Sequence, residues 1–499
     1  MRLVSRLGYF IVCLCTLSLG CESGTGPAHI GRLRIIAGGE QADTVFTSLP
    51  HPLVLQYRNA FGAPQAGVPV QIEAVAPPQS FPWQITVRRA EMSAGALTIT
   101  DTTDSHGEVR VYVAFGASAR ITWVRFSTPT SQFTDSTSFT IRPGHLVRLV
   151  VGPADTATYM GNVVLMRAQT LDTWGNDRGD SVEWSVSPPQ TVTLAGPGQV
   201  RGVQLGRGIV RARIQQLSDS VGINVVPPGR IAALFYTYGV PTYLAVFNTD
   251  GTGFQRIYVG ADCATGVQWF PSGDRFVFAR SVAPQICGTE KLFASTLAGV
   301  VTKLLPDATP LGDEYSPRMT LDGQWIYFTG RPDPDYHNGE IWRAHSDGSA
   351  AERIGPASGL HGIDQTPWPS PDGTEVVYAS WREGEAVTSL RVVNTTTRVV
   401  RDLGVTGYSP SWSPDGGLIA FVRDDQYYVV RSDGSAERPL SGARYSYGLP
   451  DPAGWSPDGK WIVVVLADNR LALVNVETDL VLPLGWTYQL TYPSWRPTP

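Results

Sequence analysis

The sequence predicts an all-β protein in which two β-sandwiches precede a six-bladed β-propeller. The first observation behind this is a repeated phrase, Trp412-Ser413-Pro414-Asp415-Gly416 and Trp455-Ser456-Pro457-Asp458-Gly459, each copy followed by an apolar run. The second is composition: 52 Gly and 38 Pro beside 14 Trp and 19 Tyr suit many short strands joined by tight turns. The third is that no long stretch sustains helical periodicity, while short alternating runs recur. At 499 residues the chain is too long for a single core. Charged residues make up 17 % and the net charge is -5, which excludes a basic nucleic-acid surface and an acidic disordered tail.

The N-terminus supplies an address. Arg2 and Arg6 flank a short basic region, and Leu7 to Leu19 is apolar over a length that suits a signal peptide and is short for a bilayer span. The run ends in Leu17-Ser18-Leu19-Gly20-Cys21, which resembles a bacterial lipoprotein signal, with Ser18 standing where that signal usually has Leu. The resemblance implies that residues 1–20 are removed, that Cys21 is acylated, and that residues 21–29 tether the protein to a membrane of the cell envelope, facing the periplasm or the exterior. The alternative is an ordinary secretory signal that leaves Cys21 as a thiol.

Residues 30–143 read as the first sandwich. Leu53 to Tyr57 leads into the Asn59-Ala60-Phe61-Gly62 turn, and Val68 to Glu73 and Val109 to Val113 alternate apolar and polar positions. The order of these pieces is similar to bacterial immunoglobulin-like domains of the invasin type, with Asn59 in place of the usual Asp. Residues 144–228 read as the second sandwich. Here Val182 to Val186 encloses Trp184, and Gly198 to Val203, Gly206-Arg207-Gly208 and Val210 to Ile214 follow, a pattern that resembles the second bacterial immunoglobulin-like type. Trp184 is expected between the sheets, as cores usually hold such residues. Both domains are expected to act as spacers, and Pro227-Pro228-Gly229 closes them off.

Residues 229–499 carry the repeats. Worn copies of the phrase stand at Pro369 to Gly373, Met319 to Gly323 and Trp269 to Gly273, and the aspartates at 322, 372, 415 and 458 are spaced by 50, 43 and 43 residues, near the period of propeller blades. In the best-marked blade, Ser409 to Trp412, Leu418 to Val422, Gln426 to Arg431 and Glu437 to Leu440 make four strands. Within the phrase, proline fixes φ, aspartate accepts backbone N–H groups and glycine tolerates left-handed geometry, so the carboxylate is read as a turn brace. The first unit, from Ile231, lacks a first strand, and Leu490 to Trp495 is a first strand with nothing after it; together they complete one blade and close a ring of six. The recurring phrase resembles that of TolB-like, WD-related β-propellers, which implies partner binding at a propeller mouth.

Chemistry is sparse in this pattern. Neither a Gly-x-Ser-x-Gly elbow nor a hydrolase-sized region follows the repeats. His337, His345 and His361 invite comparison with propeller-type pectate-fragment lyases, but His345 falls on a third strand, away from the axis, so no catalytic residue, metal or cofactor is assigned. Cys263 and Cys287 fall in two loops on the same face of the second blade, where a disulfide is allowed. The surface singled out for binding lies just before the phrase in each blade: Asp313, Glu314, Tyr315, Asp364, Tyr408, Asp451 and Tyr492. Acids and tyrosines around a funnel suit a basic or amphipathic peptide, a sugar or a cation; solvated loop residues are the bland alternative. The expected function is a lipid-anchored, non-enzymatic binding module for a protein or glycan of the cell envelope, with no nucleic-acid partner. A carbohydrate-active lyase or hydrolase working in the channel is the alternative.

Overall fold

The computed structural model describes residues 31–75, 85–129, 135–237, 240–261, 264–282, 289–307, 309–332, 338–356, 362–444, 452–485 and 490–497. Cys21, Cys263, Cys287, His337, His361 and Asp451 lie outside them. The described residues contain no helix, so the all-β expectation holds. The chain divides into two compact units, residues 1–148 with 170–179, and residues 149–169 with 180–499.

In the first unit, two sheets enclose one core. One runs in the order Arg32–Ala37, Leu53–Arg58, Glu108–Ala114, Thr86–Arg88; the other has five strands, with Arg120–Ser127 and Pro69–Val75 at its centre. Period-two burial on both, with Leu53, Leu55 and Val111 of one sheet meeting Ile72 and Phe126 of the other in one cluster, shows the alternation that the sequence carried. Asn59 performs the expected turn role, its Oδ1 accepting the N–H of Phe61 and of Ala63, both at 3.0 Å. The segment 170–179, expected in the second sandwich, groups with this unit: Asp172 Oδ2 accepts Gly144 N–H at 2.8 Å and Asn176 Nδ2 donates to Ala117 O at 2.7 Å.

The second unit holds the other sandwich and the repeats. Gly206–Ile214 and Leu217–Val225 form its main hairpin, and Trp184, half-buried, packs against Met166, Val200, Val210 and Ile223. This sandwich docks on the repeats through Asn224 Nδ2, which donates to Pro483 O at 2.7 Å, and through Tyr159 and Leu205, which pack against the large cluster shared by blades one, five and six.

Six four-stranded antiparallel sheets follow, and they are the six blades. Blades two to six take consecutive strands, their innermost being Ala264–Trp269, Asp313–Met319, Ile363–Pro369, Tyr408–Trp412 and Gly454–Trp455. Blade one takes Arg230–Thr237, Val240–Asn248 and Gln255–Ala261 from the start of the repeats and Leu490–Trp495 as its innermost strand. The ring closes where Ile231 pairs with Trp495 and Phe235 with Leu490. Second and third strands are nearly all buried because each is covered on both faces by neighbouring blades, which explains continuous apolar runs such as Trp461–Val465. The turns behave as expected: Asp415 Oδ1 accepts Ser413 Oγ at 2.6 Å and Gly417 N–H at 3.0 Å, while Gly416 sits at φ 76°. Asp458 and Asp372 repeat the arrangement with Ser456 and Ser370, each at 2.6 Å.

Candidate functional site

The innermost strands set the geometry of the channel, and each is the edge strand of its sheet; in blade four that edge is bridged at its start, where Asp364 N–H donates to Gly339 O at 2.8 Å. An edge tolerates proline, and in four of the six blades a proline follows a residue in the left-handed region: Ser316-Pro317, Thr366-Pro367, Ser409-Pro410 and Tyr492-Pro493, with φ of 53°, 52°, 51° and 51°. Gly266, at φ 65°, holds the same place in blade two. At each of these positions the ladder to the second strand shifts register, so five inner strands carry a β-bulge at one level of the channel. The bulge turns the residues before it independently of those after it, and thereby separates an upper mouth, at the strand starts, from a lower one at the repeated turns.

The described residues singled out from sequence, Asp313, Glu314, Tyr315, Asp364, Tyr408 and Tyr492, stand at the upper mouth, but their carboxylates differ in what they face. Asp364 is fully buried and accepts Ser380 Oγ at 2.7 Å and two bonds from Arg382, at 2.6 and 2.8 Å. Glu314, 1 % exposed, accepts Lys291 Nζ and Leu292 N–H, both at 3.1 Å, and so ties blade three to blade two. Both carboxylates are engaged within the fold. Tyr408 and Tyr492 are half-buried on blades five and one, each packed against the hydrophobic clusters between blades.

Asp313 and Tyr315 belong to a different arrangement, at the seam of blades two and three. Asp313 Oδ1 accepts Glu290 N–H at 3.2 Å, and its Oδ2 lies 3.7 Å from Arg331 Nη1. Glu290 itself accepts Thr265 Oγ1 at 2.8 Å. Burial pushes the Glu290 carboxyl above its ordinary range, and the Asp313 carboxylate adds to this against the Thr265 hydroxyl. Arg331 lies over the Tyr315 ring, 4.9 Å from its centre. The Tyr315 hydroxyl and Arg331 Nε are buried without a hydrogen-bond partner among the described residues. Two orphan polar atoms beside a carboxylate and a carboxyl inclined to hold its proton make a cluster that can both donate to and accept from a hydroxyl-rich or peptide ligand.

Glu290, Arg331 and Thr265 were not singled out from the sequence. The available signal was a charge at the end of a buried strand, as in Glu290-Lys291-Leu292-Phe293-Ala294 and Thr329-Gly330-Arg331. His345 stacks on Trp325 with ring centres 4.0 Å apart. Among the described residues no three His, Cys, Asp or Glu are grouped so as to hold a metal ion.

The lower mouth opens into a cavity of about 320 Å³ to which all six blades contribute. Trp368, Trp412, Trp455 and Trp495 form its wall, and Pro271, Pro371, Pro414, Pro457 and Pro497 ring it, with Leu321 in the sixth place.

No family model matches the chain. It is similar to a TolB homolog of Chlorobium luteolum, 26 % identical over 244 residues, covering 46 % of this chain and 53 % of the relative. The propeller is TolB-like. An uncharacterized protein of Agrobacterium fabrum, Atu1656, is 30 % identical over 169 residues, covering 31 % of this chain and 53 % of its own. The chain thus spans about half the length of these curated relatives. Among solved structures, TolB from Acinetobacter baumannii matches with 18 % identity and a TM-score of 0.45, over 59 % of this chain and 80 % of that one.

Proposed function

We propose that the protein is a lipid-anchored component of the bacterial cell envelope, in which two sandwich spacers carry a TolB-like propeller that binds a protein or glycan partner at its upper mouth. The likeness to TolB homologs and the lipoprotein-like segment ending in Cys21 support the envelope setting. The observation that carries the binding reading is the seam of blades two and three, where the Tyr315 hydroxyl and Arg331 Nε have no hydrogen-bond partner among the described residues and stand beside Asp313 and Glu290. Buried polar atoms are normally satisfied, and those left open at a channel mouth are groups a ligand can satisfy. Tyr315→Phe and Arg331→Met remove those donors while keeping most of the packing. Immobilised protein is therefore presented to a glycan array and to cross-linked envelope fractions. Capture that persists unchanged in both folded variants would rule out this seam as the contact. Palmitate labelling that survives Cys21→Ala would rule out the anchor.

A carbohydrate-active enzyme in the channel is the competing reading, favoured by one observation: a carboxyl pushed above its ordinary range next to a carboxylate, as acid and base pairs require. A polysaccharide turnover screen separates the two. Turnover lost on Glu290→Gln establishes the enzyme, and binding without turnover establishes the module.

A further inference from the structure

We propose that the lower mouth of the propeller is a second, separate ligand site, a well that takes an organic ammonium by its apolar arm and holds the charge at an acidic rim. The cavity of about 320 Å³ lies at the small end of the range that small-molecule pockets occupy. Its wall is aromatic, and two of the indoles have no donor to spare: Trp412 Nε1 donates to Gly416 O and Trp455 Nε1 to Ser411 O, each at 3.1 Å. They offer the well ring surface, which suits apolar groups and cations.

The rim is uneven, and the unevenness selects the ligand. Each of blades two to six places one turn carboxylate around the well: Asp274, Asp322, Asp372, Asp415 and Asp458. On blades one, two and six a base stands beside the turn, though at different places: Arg496 directly after Trp495, Arg275 at the start of the strand that follows Asp274, and Lys460 directly after Gly459. The turns of blades three to five, Asp322-Gly323-Gln324, Asp372-Gly373-Thr374 and Asp415-Gly416-Gly417, contain no base, so Asp322, Asp372 and Asp415 form an arc of carboxylates without one in the turn. Ser370 and Ser413 line the well and donate to Asp372 and Asp415 at 2.6 Å, which sets the carboxylates one hydroxyl behind the wall. Those hydroxyls and the N–H groups of Thr374 and Gly417 hold both carboxyls below their ordinary range.

The proline ring is also broken on this arc. Leu321 takes the place of proline in blade three and is 51 % exposed, an apolar step from the rim into the well. Deeper, Arg318 lies 4.9 Å from the centre of the Trp368 ring and donates to Gly266 O and Pro317 O. The lining is aromatic and the carboxylates stand at the turns, so the apolar arm enters the well and the ammonium remains at the rim. This site uses none of the residues of the upper mouth, and either can fail alone.

The test titrates the full-length protein with 2-phenylethylamine, charged at pH 7, against its neutral and anionic counterparts 2-phenylethanol and phenylacetate, read by tryptophan fluorescence and calorimetry. The expected result is saturable binding of the amine, weaker by about fivefold or more for the alcohol, and none for phenylacetate. Leu321→Trp, at an exposed position, should plug the well and abolish binding. Asp372→Asn, whose amide oxygen can still accept Thr374 N–H, should weaken the amine and leave the alcohol unchanged. The proposal is overturned by equal affinity for all three probes, by the absence of saturable amine binding at millimolar concentration, or by undiminished binding in folded Leu321→Trp or Asp372→Asn protein.

Discussion

Removing residues 490–499 should unfold the propeller rather than trim it. The strand Leu490–Trp495 is the innermost of blade one, and within it Leu490 is 1 % and Trp495 6 % exposed. A buried Trp hides on the order of 200 Å² and Leu somewhat less, so at about 25 cal/mol per Å² the two side chains contribute roughly 6 to 9 kcal/mol as an upper estimate. That approaches the whole stability of a typical domain, about 5 to 15 kcal/mol. The loss also leaves Arg230–Thr237 with an open edge where it had paired with Ser494 and Thr491. The milder Trp495→Ala should cost about 3 to 5 kcal/mol, a fall in Tm on the order of 10 °C. Differential scanning calorimetry of the full-length chain, the variant and a chain ending at residue 489 measures this. Equal melting of the truncated and full-length chains would refute ring closure as a source of stability. Val399→Ala, at a position 65 % exposed, serves as the control and should change stability by less than about 0.5 kcal/mol.

Asp364→Ala should destabilise by about 3 kcal/mol in urea unfolding, since it strands Arg382 and Ser380; the figure is set at the low end because the Arg382 side chain is 25 % exposed. A loss of binding on changing Asp364 therefore reports folding unless the variant's melting is matched. Asp372 and Asp415 are held below their ordinary range in the folded state, so their contribution is complete above about pH 4 and fades as the pH falls through the folded value. An Asp372→Asn, Asp415→Asn double variant should lose Tm less steeply than wild type between about pH 4 and pH 2; parallel curves would count against the turn brace. Glu290 has the opposite sign. Its raised carboxyl favours the folded state below the ordinary glutamate value, about 4.3, and that advantage disappears as the pH rises through the folded value. Glu290→Gln should match wild type near pH 4 and melt higher at pH 8, and a constant difference across that range would contradict the burial of an ionisable pair.

Much of the fold was legible because the repeated phrase encodes a turn, and turns are local. Blade five was expected with a third strand from Gln426 to Arg431 and is found with Gln426–Arg431; the expected second strand, Leu418 to Val422, extends by one residue to Arg423. Closure was legible too, because a strand without a partner at each end of the repeats has one economical resolution. The bulges were written in plain view as Ser-Pro, Thr-Pro and Tyr-Pro pairs three residues before the phrase's aromatic or apolar position, but proline inside a strand reads as a break until one knows that the strand borders a channel. The upper mouth was harder for the same reason. A charged residue at a strand start is visible, but the direction its side chain takes depends on the bulge that follows, and its partner is remote: Arg382 stands 18 residues after Asp364, and Lys291 stands 23 before Glu314. The well at the lower mouth was obscured by its own regularity, since the tryptophans and prolines that line it are those that repeat, and repetition suggests packing.

The pairing of Ile231 with Trp495 spans 264 positions of the chain, and it has a consequence in time. Synthesis is vectorial, so the segment 230–237 is complete long before its partner strand 490–495 exists. During that interval the ring is an open stack of blades with a free edge, and the protein must be kept from pairing with other chains. Products terminated early never lose that edge. The strand that closes the ring therefore also divides finished chains from unfinished ones, because only a finished chain covers that edge.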